Sequence, residues 1–407
     1  MTLSRRGFIA ASAAGGLVSI APGLKVAFAD TASVAAGGSN QVLVFLFLRF
    51  GMDGLSLVPP ADDGSYRDMR PTIALSSSGA GAALPLGAHQ GVSFFMHPAA
   101  RQLKGFYDAG KLAIVHAAGV PSALRSHFEV QTMAATGVAD NETAVTTGWL
   151  ARHLLAKTTP RNDFSAVSDG EGLTATLDGL GGTPSFESLS SLGYILNGPF
   201  GDAMAAMNTG ASDYEISVQK ATRVAGAVRD KLYALPFEPP NGNYTYGPLS
   251  NTLKPLAQAI KLDVGVELAT ADFGGWDHHE FLPNAFPVQA QELGDALFAF
   301  TDDLGKHADR VTIVMMAEFG RRAYENANNG TDHGAGAPML ILGAGVNGGR
   351  MYGDWPGLRT NQLDQGDLAV TTDYRRVLSE LLVKRQGQTD IARVFPTVPY
   401  APLGVAS

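Results

Sequence analysis

Long apolar runs without polar interruptions limit this chain to a fold in which strands are buried on both faces. Residues 41–48 form one such run, rich in branched and aromatic side chains. Runs of this kind are typical of parallel sheets, whose two faces are covered by helices. Similar runs at 111–117 and 310–317 are separated from it by segments with helical spacing. This alternation predicts an α/β fold: three α/β/α layers around a central, mainly parallel sheet.

The order of the predicted elements supports this architecture. Strands are predicted at 41–48, 111–117, 265–271, 310–317 and 338–342, and helices at 98–108, 126–136, 147–157, 213–234, 249–262, 284–307 and 372–384. Residues 158–212 differ because they carry many Gly, Ser and Thr residues in short runs, and a Pro/Asn/Gly-rich loop follows at 236–248. We therefore expect an inserted, loop-rich region or cap at about 158–248.

The N-terminus has the pattern of a twin-arginine export signal. An arginine pair at 5–6 precedes Gly-Phe and a weakly apolar run at 9–22. This run is too short, and its side chains are too small, to span a bilayer stably. A small-x-small cleavage pattern ends at Ala29. We expect a signal peptide over 1–29, cleavage, and a mature domain over 30–407 in the periplasm or cell envelope, with the Tat translocase as a partner during export.

Charge and composition exclude several function classes. Loss of the leader, with Arg5, Arg6 and Lys25, would change the formal net charge from −8 to −11. An acidic protein without a basic cluster is expected to repel nucleic acid and anionic lipid. No cysteine is present, so the chain has neither disulfides nor thiolate ligands. No apolar run in the mature domain is long enough for stable membrane insertion.

Polar residues that follow the predicted strands are the candidates for a metal site. In an open parallel sheet, ligands bind beyond the carboxyl ends of the strands. Carboxylates and imidazoles are ligands of Zn²⁺, Mn²⁺ and Fe²⁺. In an extended loop, Asp277 and His279 would point the same way, and His333 could complete their site. The candidate ligands are Asp53, Asp277, His279, Glu318, Asp332 and His333.

Each of these residues also has a structural interpretation. Asp53 could have no role beyond forming a turn, and the loop around His333 could be a solvated turn. Glu318 ends a very apolar strand, where a buried carboxylate needs a cation or a hydrogen-bond donor. Arg321 or Arg322 could be that partner without any metal.

Ser126 is the candidate nucleophile, since it begins a predicted helix whose N-terminus favours an anion. The alternative is an S-x-x-E capping box with Glu129, which would explain both residues without catalysis. His127 is a candidate ligand or base, or a packed helix residue. Arg49 and Arg125 are candidate anion clamps, because a guanidinium binds a tetrahedral oxyanion through two donors.

An ordered series of motifs covers nearly the whole mature chain: LRFGMDGL (48–55), KLAIVHAAG with SALRSHFEVQ (111–131), TGWLARHL (147–154), FGGWDHH (273–279), AEFGRR (317–322), GTDHGAGAPMLILG (330–343), and YGDWPGL with GDLAVTTDYRRVL (352–378). Together these motifs resemble an uncharacterised family of twin-arginine exported proteins, domain-of-unknown-function family 1501. That family is similar to the alkaline phosphatase and sulfatase superfamily, and the resemblance implies the same fold.

The resemblance also implies roles for individual residues. Asp53 would match the metal Asp after the first strand, and Ser126 the nucleophile at a helix start. Asp277 and His279 would bind one metal, with His333 as its last ligand. Where the superfamily usually has Asp-His-Gly after a strand, this chain has Glu318-Phe319-Gly320 instead. One histidine ligand is therefore missing from the pattern.

Three functions follow from these residues. The first is a metal-dependent hydrolase of phosphate or sulfate esters on a small molecule or polysaccharide, with a divalent Zn, Mn, Ca or Mg ion. The second is a binding or assembly protein of the envelope that keeps the fold without turnover, as the Glu-Phe-Gly departure indicates. The third is a non-haem iron enzyme with Asp277, His279 and His333 as two histidines and one carboxylate.

Overall fold

The computed structural model describes most of the predicted mature domain. The described residues are 17–21, 24–27, 41–140, 142–143, 145–157, 162–168, 175–180, 184–186, 199–234, 242–245 and 247–407. The arginine pair at 5–6, the end of the small-x-small pattern at 28–29 and the lead-in at 30–40 lie outside them. None of the described helices is long and apolar enough to cross a membrane.

The thirteen described strands contain two to eight residues each. They are β1 Leu17–Ala21, β2 Leu24–Ala27, β3 Val42–Leu48, β4 Leu84–His89, β5 Val92–Met96, β6 Leu112–Gly119, β7 Ala166–Ser168, β8 Pro184–Phe186, β9 Leu268–Phe273, β10 Val311–Met316, β11 Ala337–Gly343, β12 Arg350–Tyr352 and β13 Thr372–Asp373.

The seven predicted helices lie within a few residues of their predicted positions. The described helices are α1 Gly54–Leu57, α2 Gly64–Met69, α3 Arg101–Asp108, α4 His127–Thr136, α5 Trp149–Ala156, α6 Pro199–Met207, α7 Asp213–Ala234, α8 Pro248–Lys261, α9 Leu282–Leu304 and α10 Tyr374–Gln386. Of these, α1, α2 and α6 were not predicted. Short 3-10 turns occur at Ala175–Leu177, Gly305–Arg310, Thr360–Gln362 and Ile391–Arg393.

One large sheet organises the molecule. Within the described ranges its strand order is β1-β2-β8-β7-β9-β3-β10-β11-β6-β12, and β13 also pairs with β6. The centre from β8 to β10 is parallel, as are the pairs of β6 with β12 and β13. β1, β2 and β11 run antiparallel to their neighbours. The prediction of a central, mainly parallel sheet is confirmed.

The side chains of β3 show why the sheet needs helices on both faces. Val42, Val44 and Leu46 belong to one hydrophobic cluster, with α3, α8 and α9. Phe45 and Phe47 belong to a second cluster, with α4, α5 and α10. Every residue of β3 is buried. Apolar residues at successive positions thus supply both layers, and the fold is the predicted three-layer α/β/α arrangement.

The reversed direction of β11 brings an extra loop to the functional edge of the sheet. β10 pairs antiparallel with β11, and β11 pairs antiparallel with β6. The residues before β11 therefore lie at the same edge as the residues after β3, β6, β9 and β10. We call this edge the rim; it consists of residues 49–53, 120–126, 274–281, 317–322 and 330–336.

The region predicted as an insertion contributes described elements to the main sheet and core. β7 pairs with β9, and β8 pairs with β7. Val218, Val224 and Val228 of α7 are buried in the same cluster as β3. Elsewhere, the hairpin of β4 and β5 was not predicted from the sequence.

Candidate functional site

The end of β3 makes an abrupt turn at the rim. Phe50 has φ +80° and Gly51 has φ +67°, so two successive residues adopt left-handed backbone conformations. Such a conformation is strained for phenylalanine and is kept only where the surroundings impose it. Here the N–H of Phe50 donates to Glu318 Oε1 at 2.9 Å, and the carbonyl of Gly51 accepts from Arg321 Nε at 2.7 Å. The turn thus aims backbone groups at the two buried charges of the rim.

Three histidines surround one oxygen of Asp277. His279 Nε2 lies 3.0 Å from Asp277 Oδ1, His333 Nε2 lies 3.2 Å from it, and His127 Nε2 lies 3.4 Å from it. The ligand atoms of His127, Asp277 and His333 all lie within 4.8 Å of one another. His279 Nε2 is also 3.0 Å from His333 Nε2. Residues from three separate segments of the chain therefore converge at one point.

The second nitrogen of each imidazole has its own partner. His127 Nδ1 is 2.7 Å from Glu318 Oε1, and His333 Nδ1 is 2.7 Å from the carbonyl oxygen of Arg125. His279 Nδ1 is 3.0 Å from Asp332 Oδ1. Metal-binding histidines usually hydrogen-bond a carboxylate or carbonyl in this way, which fixes the tautomer and the direction of the ring.

A buried arginine fixes the position of Asp277. Arg321 has no exposed side-chain surface, and its Nη2 bonds Asp277 Oδ1. Partial burial opposes ionisation of Asp277, but the hydrogen bond and charge of Arg321, helped by His279 and His127, lower the pKa of this carboxyl to about 2. Asp277 is therefore a carboxylate at every physiological pH.

Two other groups of the cluster have shifted pKa values. Burial lowers the pKa of His333, which favours the neutral ring that a metal requires. The hydrogen bond from His279 lowers the pKa of Asp332, despite some burial. His333 is thereby kept in the neutral form that binds a metal, whereas Asp332, predicted as a metal ligand, is a carboxylate that lies against Nδ1 of His279 instead.

The donor set fits a divalent metal. Ligands about 2.0–2.1 Å from a tetrahedral zinc ion lie about 3.3 Å from one another, close to the spacings around Asp277 Oδ1. His127 Nε2 is buried and has no hydrogen-bond partner within the described residues. The outer side is open, since the side chains of Asp277 and His279 are 43% and 42% exposed. A ligand could therefore reach the cluster from solvent.

The structure corrects the metal-ligand prediction for Asp53. Its two oxygens lie 3.0 and 2.9 Å from Arg70 Nη1, and neither side chain of this ion pair is exposed. Asp53 also accepts from the N–H of Ser56 at the start of α1 and from the hydroxyl of Thr331. These three donors make four hydrogen bonds and occupy both oxygens of Asp53, so this carboxylate joins two loops instead of binding a metal.

Glu318 lies behind the cluster, on the far side of the His127 ring. Its carboxylate is fully buried and accepts from the N–H of Phe50 and from Nε2 of Gln131. It contacts the nitrogen of His127 that faces away from Asp277. The structure thus corrects the prediction that Glu318 binds the metal directly. Arg321 and Arg322, the two predicted alternatives for the partner of Glu318, pair with Asp277 and Asp367 instead.

Both candidate anion clamps are paired with carboxylates. Arg49 Nε lies 2.7 Å from Asp272 Oδ2. Arg125 Nη2 lies 2.5 Å from Asp367 Oδ2. Either guanidinium would have to exchange its carboxylate for an ester oxyanion in order to bind substrate.

Ser126 is the N-cap residue of α4, but its side chain makes no cap bond. The capping box with Glu129 is therefore wrong. The Ser126 hydroxyl makes no hydrogen bond to any described part of the chain, and its residue is half-buried. His127, the next residue, belongs to the cluster. The hydroxyl of Ser126, the predicted nucleophile, is thus without a hydrogen bond among the described residues and precedes His127 of the cluster.

Sequence reasoning missed two residues that shape this site. Gln131 bridges Glu318 and Arg49, at 2.9 and 2.6 Å. It lies four residues after His127, so both face the same side of α4. Thr331 holds Asp53 through its hydroxyl and Arg321 through its carbonyl. The helical spacing was a usable signal for Gln131, whereas the position of Thr331 depends on long-range contacts.

Comparison with known families confirms the resemblance over part of the chain. Residues 205–392 match the family model described as Protein of unknown function (DUF1501). This match covers Asp277, His279, Glu318, Asp332 and His333 but not α4. A search with the whole sequence finds no match among curated proteins.

Similar solved structures include a lipoteichoic acid synthase, an alkaline phosphatase and a sulfatase. The lipoteichoic acid synthase LtaP from Listeria monocytogenes is 9% identical, with a TM-score of 0.32, over 85% of this chain and 78% of that one. The alkaline phosphatase from the Antarctic bacterium TAB5 is 9% identical, with a TM-score of 0.29, over 76% and 93%. The PsFucS1 sulfatase from Pseudoalteromonas sp. is 12% identical, with a TM-score of 0.31, over 76% and 64%. At such low identity and TM-score, the role of each residue here rests on the site itself.

Proposed function

We propose that this protein is a metal-dependent hydrolase of phosphate or sulfate esters. One observation carries the proposal: Nε2 of His127 and of His333 approach Asp277 Oδ1, while the second nitrogen of each ring is already hydrogen-bonded. Imidazoles around one carboxylate favour zinc or manganese over calcium or magnesium, which prefer oxygen ligands. His279 is the fourth ligand in this proposal.

The residues around the cluster support ester hydrolysis. A divalent cation held there supplies a Lewis acid that neutralises charge on the transferring phosphoryl or sulfuryl group. Ser126 presents an uncommitted hydroxyl at the N-terminus of α4, where unpaired N–H groups favour an anion. Arg125 is the candidate clamp that is adjacent to Ser126 in sequence. It would hold an ester oxygen after releasing Asp367.

A second function, binding without turnover, is favoured by the ion pairs that the arginines near the site already make. Arg49 and Arg125 both carry carboxylate partners, and Asp53 is occupied by Arg70. A site whose two candidate clamps already carry carboxylates is what a non-catalytic envelope binding or assembly protein would retain. The non-haem iron enzyme remains the third candidate, because Asp277, His279 and His333 supply two histidines and one carboxylate.

Metal analysis and an ester screen on the purified protein test the hydrolase. We expect about one zinc or manganese ion per chain and turnover of aryl phosphates or aryl sulfates. Replacing Asp277 with alanine should remove the metal and lower turnover by at least about 100-fold, since the Lewis acid supplies several kcal/mol. The matched control, Asp108→Ala, removes an exposed carboxylate of α3 that pairs with Lys104 and should change neither value.

The outcomes separate the three functions. Turnover that survives Asp277→Ala would contradict the hydrolase proposal. Bound metal without turnover of any ester would favour the binding protein. Iron as the sole native metal would favour the oxygenase.

We further propose export by the Tat translocase to the periplasm or cell envelope, with an ester on a small molecule or polysaccharide as substrate. Replacing Arg5 and Arg6 with lysine should retain most of the protein in the cytoplasm as the uncleaved precursor, because the arginine pair is the export address. Cell fractionation followed by immunoblotting measures this. Undiminished export of the double variant would argue against the Tat route.

A further inference from the structure

We propose that Glu318 is a positioning residue that acts through His127: it holds a proton on Nδ1 of that ring, so that Nε2 is left free to bind the metal. The inference rests on the proposed metal site. It deepens that site by assigning to the buried carboxylate a role other than direct ligation.

The hydrogen bonds of Glu318 determine which nitrogen of His127 carries the proton. Glu318 Oε1 already accepts from the N–H of Phe50 at 2.9 Å and from Gln131 Nε2 at 2.9 Å. Both partners can only donate, so the carboxylate is an acceptor at this oxygen. The contact of 2.7 Å with His127 Nδ1 therefore places the proton on Nδ1. A neutral imidazole then has its lone pair on Nε2.

The ring of His127 is held in a direction that uses this lone pair. It stacks on Phe319 at 4.8 Å between ring centroids and meets the Phe50 ring edge-on at 5.4 Å. Its Nε2 is buried, lacks a hydrogen-bond partner among the described residues, and lies 3.4 Å from Asp277 Oδ1. With the proton on Nδ1, this buried nitrogen offers its lone pair to a cation beside Asp277.

The charge of Glu318 provides a second reason. Its side chain is fully buried, and His127 is its only ion-pair partner within the described ranges. A buried carboxylate without a full cationic partner is costly. A metal ion on the far side of the His127 ring would offset that cost through the shared imidazole. Glu318 should therefore raise metal affinity, although it does not touch the ion.

The other two imidazoles provide an internal comparison. His333 is held by the backbone carbonyl of Arg125, which no side-chain substitution removes. His279 is held by Asp332, whose side chain is 57% exposed. Water can replace an exposed acceptor but cannot reach a fully buried one. Among the carboxylates of the cluster, Glu318 should therefore have the larger indirect effect.

Zinc affinity tests the inference directly. Metal-free protein is titrated with zinc in competition with a chromophoric chelator. We expect Glu318→Gln, which keeps the shape but removes the charge, to weaken zinc binding about tenfold, and Glu318→Ala to weaken it about 100-fold. Glu318→Asp should recover part of the loss if the fold brings its carboxylate within reach of Nδ1.

Glu380 offers a matched control. It is also fully buried and accepts three backbone N–H bonds, from Leu403, Gly404 and Ala406, but it contacts no histidine. Glu380→Gln should lower thermal stability while zinc affinity stays within about twofold of wild type. An equal loss of affinity in Glu380→Gln would show that the effect of Glu318 is general destabilisation, and would overturn the inference.

The tautomer of His127 gives a readout that does not depend on metal or turnover. In two-dimensional ¹H–¹⁵N spectra of the metal-free wild type, we expect the proton of His127 on Nδ1. The Nε2–H form in the wild type would overturn the inference. So would a Glu318→Gln variant that binds zinc as the wild type does. If the wild type binds no zinc at all, the proposed function fails first, and the two failures are thereby distinguished.

Discussion

Lowering the pH from 7 to 5 should reduce the free energy of unfolding by about 2 kcal/mol for each of three buried histidines, His97, His116 and His153. Burial lowers the pKa of His116 and of His153 to about 3, and that of His97 to about 4. Two hydrogen bonds agree with neutral rings: the N–H of Ala99 donates to His97 Nδ1, and Gln388 Nε2 lies 3.0 Å from His153 Nδ1.

The sign follows from where the protons bind. The unfolded chain takes up protons on these rings near pH 6.5, whereas the folded protein resists uptake until pH 3 to 4. Between these values the unfolded state binds more protons, so stability falls as the pH falls. Above about pH 6.5 the full stability is present.

Urea denaturation of the metal-free protein at pH 7, 6 and 5 measures this effect. His116→Phe preserves an aromatic ring against Phe94, which lies 4.1 Å away between centroids, and removes one titrating group. The pH dependence of this variant should be smaller by about 2 kcal/mol over the same interval. Equal stability of the wild type at pH 7 and 5 would contradict the prediction.

Replacing Arg70 with methionine should lower the free energy of unfolding by roughly 3–5 kcal/mol, because it leaves the buried Asp53 without its cation. Arg70 also donates to the carbonyls of Ala323 and Arg322, at 2.9 and 2.8 Å. Their loss would loosen the segment after Arg321. Chemical denaturation at constant pH measures the change.

The matched double variant separates charge from packing. In Arg70→Met with Asp53→Leu, both buried charges are absent, so much of the lost stability should return. The hydroxyl of Thr331 would still lose its acceptor, and recovery should be incomplete. A single Arg70→Met variant within about 1 kcal/mol of wild type would show that this ion pair contributes little.

The layers of the fold could be predicted because strand burial is encoded locally. β3, β6 and β10 are apolar at nearly all successive positions, a pattern that only a sheet covered on both faces accommodates. The direction of β11 could not be predicted in the same way. Its sequence is as apolar as that of its neighbours, and direction is decided by the long connection after β10. The hairpin of β4 and β5 was missed because its strands are only partly apolar.

The sequence predicted the positions of the site's histidines better than the partners of its carboxylates. Asp277, His279 and His333 were predicted to meet, and the structure brings them together. A carboxylate after a buried strand indicates only that some partner is required. Asp53 finds that partner in Arg70, and Glu318 finds it in His127. The partner that each carboxylate pairs with depends on side-chain directions that no local sequence pattern encodes.

The contacts of Arg321 have a consequence for how the rim moves. Its guanidinium holds the carbonyls of Phe50, Gly51, Thr331 and Trp276 together with Asp277. Three separate loops share this one planar group, so none can swing outward without breaking bonds that belong to the others. Amide hydrogen exchange in these loops should therefore be slow and concerted, like that of a single cooperative unit. A ligand would therefore bind at a preorganised site whose loops move little on binding.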